Sequence, residues 1–480
     1  MKSCTQLFLL ILLLVAHAAT AQKEVEKADR EYVALRYRNA IPIYLRALEK
    51  DSSDAEVVTK LADCLYKIRD YPNALYWYAK AVKMDPSNTR LALPYAQLLA
   101  ANSEYGKAAI WYEKHLDEAG SDETARNFLD TYMHLDRFMD SSRWDIRFLN
   151  INTGYDEFSP SWFDGGLIFV SNRPRTVVSK NTFEWDRTPF LSLYQVADTS
   201  IVKTVDPPAA PHIDMDKYQG VYRPTPNDSR RVSAPAAELR LPMELPPVPK
   251  ESVVLFNKQL ESRFHEGPVS FNSRGDTIFM SRNNVFKGKS GKDKKGVNRL
   301  KIYSAIFRYG DWKDFTEFPY NSDEYSVGHP ALTADGDFLY FVSDMPGGRG
   351  GSDIWYCRKM SNGWSAPVNA GPAINTKGNE MFPYISKDGT LYFSSDGKGG
   401  LGGLDIFLIR LQDDLPAGKA ANLGYPVNSS RDDFGVLLNK DGYTGYFSSN
   451  RCGSDDLYYF RFVGPGYPSG IVTPVTQVAR

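Results

Sequence analysis

An N-terminal stack of paired α-helices followed by a five-bladed β-propeller, an α + β multidomain architecture, is what this 480-residue sequence predicts. Two periodicities carry the reading. Small and aromatic residues recur every 34 residues before about residue 140, and a strand pattern with an Asp-Gly turn recurs after it. An apolar content of 42% with 24% charged residues supplies enough side chains for two separate cores.

The first element is a leader over residues 1–21. Lys2 precedes an unbroken apolar run from Leu7 to Val15, and the small-residue sequence "AHAATAQ" follows, so cleavage after Ala21 and export are expected. The run is shorter than the roughly 20 apolar residues that span a bilayer, so no direct membrane span is expected. Cys4 lies before this core, not after it as a lipidated cysteine would. Cys64, Cys357 and Cys452 are then an odd, scattered set that implies no disulfide framework, no metal site and no cofactor. The net charge of −1 gives no global field for nucleic acid.

Residues 22–140 carry the helical repeat. Ala28, Ala62 and Ala96 share one register, as do Tyr37, Tyr71 and Tyr105, then Ala40, Ala74 and Ala108, then Tyr44, Tyr78 and Tyr112. Small residues where helices cross, with tyrosines beside them, suit a stack of helix pairs. With Ala74, Tyr78, Ala81 and Pro86 the pattern resembles tetratricopeptide repeats; His115 and Ser52 depart from it. Three repeats are expected, with a capping helix from about Asp122 to Asp140. His115 reads as a packing or solvated residue before it reads as a ligand. The resemblance implies a concave groove lined by Asp29, Tyr32, Thr59, Asp63, Tyr66 and Gln97, expected to bind partner proteins. Two tyrosines beside two aspartates should favour an apolar segment carrying lysine or arginine.

The propeller is expected over residues 144–463, with 464–480 as a tail. Asp-Gly turns at Asp164, Asp335, Asp388 and Asp441, and Arg274-Gly275, each precede an apolar strand ending in serine. Pro160, Pro268, Pro330, Pro383 and Gly435 mark five blades at intervals of 108, 62, 53 and 52 residues. "WDIRFLNI" at Trp144 resembles the outer strands that precede the other blades, so it should close the ring against the last blade. Residues 199–250 hold ten of the 29 prolines and read as an insertion, with a degenerate sixth blade as the alternative. "KGKSGKDKKGVNR" reads as an exposed loop, or as a contact for an acidic partner or envelope polymer.

The glycine loops "SDMPGGRGGSDIW" and "SSDGKGGLGGLDIF" resemble TolB-type, WD-repeat-like propellers of bacterial envelope proteins. Joined to tetratricopeptide repeats and a leader, they are similar to a periplasmic family associated with type IX secretion and gliding, without its OmpA-like module, so peptidoglycan binding is not supported. The resemblance implies a periplasmic, non-enzymatic scaffold with envelope proteins as partners. A glycan- or peptide-binding propeller is the alternative, and a five-bladed glycosidase a third. For the last, Asp156, Glu157, Glu266, Glu324, Glu380, Asp432 and Asp433 are candidate acids or cation ligands. Their repetition suggests turn residues instead, as it does for Asp353, Asp405 and Asp456 of the glycine loops. No G-x-S-x-G elbow accompanies the propeller.

Overall fold

The computed structural model describes residues 22–174, 182–208, 212–214, 217–218, 248, 250–262, 264–286 and 289–465. The expected leader, most of the proline-rich segment 199–250 and most of the segment 464–480 lie outside the described residues. The chain forms two compact units. Of the described residues, one unit holds 22–120, Thr182–Pro189, 212–214 and 217–218; the other holds the rest.

The first unit is built from α1 (residues 22–33), α2 (Tyr37–Lys50), α3 (Ala55–Lys67), α4 (Tyr71–Met84), α5 (Ala92–Ala101) and α6 (Tyr105–Ala119). These are the three expected helix pairs. Ala28, Ala62, Ala96, Ala40, Ala74 and Ala108 are all fully buried, and Tyr44, Tyr78 and Tyr112 are buried beside them. Asp54 and Asp70 cap α3 and α4 by accepting from Val57 N and Asn73 N. Each pair turns through one left-handed residue, Leu35, Arg69 or Ser103, again 34 residues apart. His115 lies partly exposed on α6. Among the described residues, no group of His, Cys, Asp and Glu could hold a metal ion.

The second unit opens with α7 (Glu123–Met133), which falls with the propeller and not with the stack it was expected to cap. Asn127 Nδ2 donates to Gly397 O, and Phe138 O accepts from Tyr425 N.

Five antiparallel sheets then follow. Their inner strands are Glu157–Phe163, Glu266–Phe271, Val327–Leu332, Glu380–Ile385 and Asp433–Leu438. In each hairpin after the inner strand a glycine sits at positive φ: Gly165, Gly275, Gly336, Gly389 and Gly442. Trp144–Leu149 pairs antiparallel with Asp456–Phe462, so the N-terminal strand of this unit completes the fifth blade as its pattern suggests. Trp144 Nε1 donates to Leu423 O and its ring meets Phe460 and Phe462 edge-on.

Every inner strand carries a bulge at the same place, centred on Ser159, Gly267, His329, Phe382 or Gly435, all left-handed. The proline markers Pro160, Pro268, Pro330 and Pro383 directly follow that residue. Proline has no N–H, and a bulge residue is left out of the ladder, so the position costs no hydrogen bond. The neighbouring blade completes the arrangement. Ser159 N donates to Ser448 Oγ, and His329 N to Ser281 Oγ.

Candidate functional site

The groove residues of the helical unit are brought together, though not as free binding groups. Tyr32 Oη donates to Asp63 Oδ2 at 2.6 Å, and Tyr66 Oη to Gln97 Oε1 at 3.2 Å, while Lys60 Nζ reaches Asp29 Oδ1 at 3.0 Å. Each is a rung 31 residues long between the first helices of successive repeats. Asp29 also accepts from Tyr44 Oη at 2.6 Å. Thr59 Oγ1 donates to Ala55 O within its own helix. Burial, then the bond to Asp63, raises the Tyr32 phenol well above its ordinary range. The tyrosines therefore offer ring faces while their hydroxyls serve the stack, and Lys60 offsets the acidity expected from Asp29. Val33, 78% exposed beside Tyr32, is an apolar group of this helix that the repeat pattern did not single out.

The second region is the axis of the propeller. Phe158, Phe382 and Phe434 stand on inner strands of the first, fourth and fifth blades. Phe158 and Phe382 come from non-adjacent blades yet their rings lie 6.4 Å apart, so they meet across the axis; Phe434 lies 4.6 Å from Phe382. His329 of the third blade packs at a tilt against Phe382 at 4.2 Å and its Nδ1 accepts from Phe382 N. The centre is thus filled by aromatic side chains from four blades.

The candidate acids are consumed by repeated turns. Glu157 accepts from Thr153 N and Oγ1 and from Ser171 Oγ, and Glu380 from Thr376 N and Oγ1 and from Ser395 Oγ. Asp433 accepts from Ser429 N and Oγ, and Glu266 from Ser262 N. Asp156 and Asp432 exchange amide bonds with Asn172 and Asn450. Glu324 is a correction. In the third blade Val327 holds the strand-start position, and Glu324 is half exposed, 3.7 Å from Lys294. Asp353 and Asp405 accept from the backbone of their own glycine loops, and Asp456 from Ser454 Oγ. Burial raises the carboxyls of Glu157, Glu380 and Asp433 in the same direction. A hydrolytic pair needs carboxyls driven apart by their surroundings, whereas burial is the largest influence on all three.

A cation in the first and fifth blades was not anticipated. Arg173 lies over Phe169 and Tyr194 and reaches Glu157 at 3.0 Å; Arg451 lies over Phe447 and Tyr458 and reaches Asp433 at 2.6 Å. The tripeptide Ser-Asn-Arg, at Ser171 and Ser449, was the available signal.

The axis yields a pH prediction. Burial lowers His329 from 6.5 to about 4, so the folded state holds it neutral while the unfolded chain takes up a proton. Its contribution is fully present above pH 6.5 and is lost as pH falls toward 4. At about 1.4 kcal/mol per pH unit this amounts to about 3 kcal/mol. Phe382 occupies the equivalent left-handed position with φ 52°, so His329→Phe is accommodated. Urea titrations at pH 7 and pH 4 should show the variant losing about 3 kcal/mol less than the parent chain. Equal losses would mean that His329 does not titrate within this window.

Comparison with known proteins follows the same division. The Tetratricopeptide repeat family model matches residues 25–89. No curated protein matches the chain. Among solved structures, the first tetratricopeptide domain of Spaghetti bound to an HSP90 peptide is 21% identical, over 24% of this chain and 93% of that one, with a TM-score of 0.23. The putative TolB of Agrobacterium tumefaciens is 15% identical over 64% of this chain and 78% of that one, with a TM-score of 0.31. TolB of Acinetobacter baumannii is 11% identical over 71% and 69%, also at 0.31. The fold assignment itself rests on the helix pairs and strand pairing described above.

Proposed function

We propose that this protein is a non-enzymatic scaffold of an exported envelope assembly, binding protein partners through its helical groove and propeller surface. The observation that carries the reading is the filled axis: the place where a propeller would gather catalytic groups is occupied by Phe158, Phe382, Phe434 and His329. The repeated acids, bonded to their own turns, support it further. The leader expected over residues 1–21 supports a periplasmic location on this reading. The combination of repeats resembles PorE of the type IX secretion system, which makes secretion or gliding machinery the assembly proposed.

Affinity capture from envelope extract, with mass spectrometry, tests the proposal. Tyr66→Ala with Asp63→Lys should reduce recovery of the partner at least tenfold. Because both side chains carry rungs of the stack, the double variant should also lose about 1 kcal/mol for each hydrogen bond removed. Unaltered recovery by the folded variant would place the partner surface outside the groove.

A further inference from the structure

Beside the groove, at the edge where first helices turn into second helices, the helical unit already holds a peptide segment. Thr182–Pro189 is covalently part of the first propeller blade's excursion but belongs to the helical unit by its contacts. It is a closed turn. Thr182 bridges Pro189, Phe183 N donates to Thr188 O, Arg187 N to Phe183 O, and Asp186 accepts from Thr188 N and Oγ1. Trp185 projects from this turn onto the first two repeats. Its ring meets Tyr37, the first residue of α2, edge-on at 4.8 Å, and its Nε1 donates to Lys67 O, the last carbonyl of α3, at 3.0 Å. Arg38 N donates back to Trp185 O at 3.2 Å. Phe183 stacks parallel to the indole at 6.4 Å.

Each of these partners has a local reason to be available. Arg38 N lies in the first turn of α2, where helical N–H groups have no carbonyl within the helix, and Lys67 O lies in the last turn of α3, where carbonyls have no N–H. Two helix ends thus present a donor and an acceptor on either side of an aromatic wall, Tyr37, which itself meets Tyr32 at 5.5 Å. Charge follows the same geometry, with Glu184 in the field of Arg36 and Arg187 in that of Glu31.

We infer that this edge is a recognition site for a tight turn carrying tryptophan between acidic residues, with Thr182–Pro189 as its resident occupant. A partner turn of the same chemistry reaches the site only by displacing it. The resident is tethered, so its effective concentration is in the millimolar range, and a free peptide competes poorly until the tether's anchor is removed. The site is built from Tyr37, Arg38 and Lys67, none of them a groove residue, and its failure would leave the scaffold proposal standing.

The test uses the full chain, with a synthetic peptide of residues 180–191 as probe. In Trp185→Ala, amide exchange at Arg38 should rise at least tenfold over the parent, while helical ellipticity stays the same. Millimolar peptide should restore protection in the variant, and the same peptide with alanine for tryptophan should not. Trp185→Phe, which keeps a ring but loses the N–H, gives the same comparison if the alanine variant unfolds, with a smaller rise. Equal exchange at Arg38 in parent and folded variant, or protection that either peptide restores equally, would overturn the inference.

Discussion

Deleting residues 22–150 will abolish cooperative unfolding of the propeller, whereas deleting residues 22–120 will preserve it. The shorter deletion removes only the helices of the first unit and ends where the second compact unit begins. The longer one removes Trp144–Leu149, whose pairing with Asp456–Phe462 closes the ring. Trp144, Phe148 and Leu149 are each at most 5% exposed. Truncating one such side chain costs about 2–5 kcal/mol. Losing all of them, with the ladder, exceeds the roughly 5–15 kcal/mol that stabilises a domain. It also bares the edge of Asp456–Phe462 for intermolecular pairing. A deletion of 22–138 falls between: it removes α7 and the Asn127–Gly397 bond but keeps the closing strand. Calorimetry should therefore give one sharp transition for the first deletion, a lowered but sharp one for the intermediate, and none for the longest. A sharp transition after deletion of 22–150 would show that the ring does not need its N-terminal strand.

What could be read from the residues was what their chemistry restricts to few types. Ala28, Ala62 and Ala96 sit where helices cross, a place that admits only small side chains, so the 34-residue register was legible. The glycines of the hairpins were legible for the same reason, since their φ is positive. The left-handed turns at Leu35, Arg69 and Ser103 were not, because three unrelated side chains hold them. The prolines marked the blades correctly, but their cause, a bulge centred on the residue before each, Ser159, Gly267, His329 or Phe382, appears only in the strand pairing.

Long-range polar pairings stayed hidden even where their residues repeat. Asn152, Asn321, Asn375 and Asn428 lie five or six residues before an inner strand, and each exchanges two bonds with the backbone of one third-strand residue: Leu457, Ile302, Ile354 and Ile406. Nothing local distinguishes such an asparagine from a solvated one. Glu324 erred the other way. An acid near a turn was aligned with Glu266 and Glu380 on spacing, whereas Ser343 Oγ donates to Ser326 O and leaves that blade no need of a carboxylate. The seat of Trp185 on Tyr37 joins residues 148 positions apart, beyond any periodicity.

Arg451→Met should be among the most destabilising single substitutions in the propeller, at about 3–5 kcal/mol near neutral pH. The guanidinium is 7% exposed and its partner Asp433 is fully buried. Its donors are spent on Asp433 Oδ1, Val427 O, Pro426 O and Ser449 Oγ, and it lies over the rings of Phe447 and Tyr458. Methionine would fill much of the space yet leave a carboxylate in a desolvated site with no cation. Burial already raises Asp433, against the opposing pull of Arg451, and removing Arg451 leaves burial opposed only by the hydrogen bonds from Ser449 and Ser429. A carboxyl raised in the folded state contributes stability below its unfolded pKa of about 3.9, and that contribution is lost as pH rises through the folded value. The penalty of Arg451→Met should therefore be largest at pH 7 and shrink as pH falls toward 4, because the buried acid can then take a proton. Adding Asp433→Asn should recover part of the loss at pH 7 and flatten the pH dependence. Denaturant titrations of the parent, both single variants and the double variant, at pH 7 and pH 4, give the coupling directly. A penalty for Arg451→Met that is the same at both pH values would mean that the ion pair is not what holds the fifth blade, and that the aromatic packing of the guanidinium is.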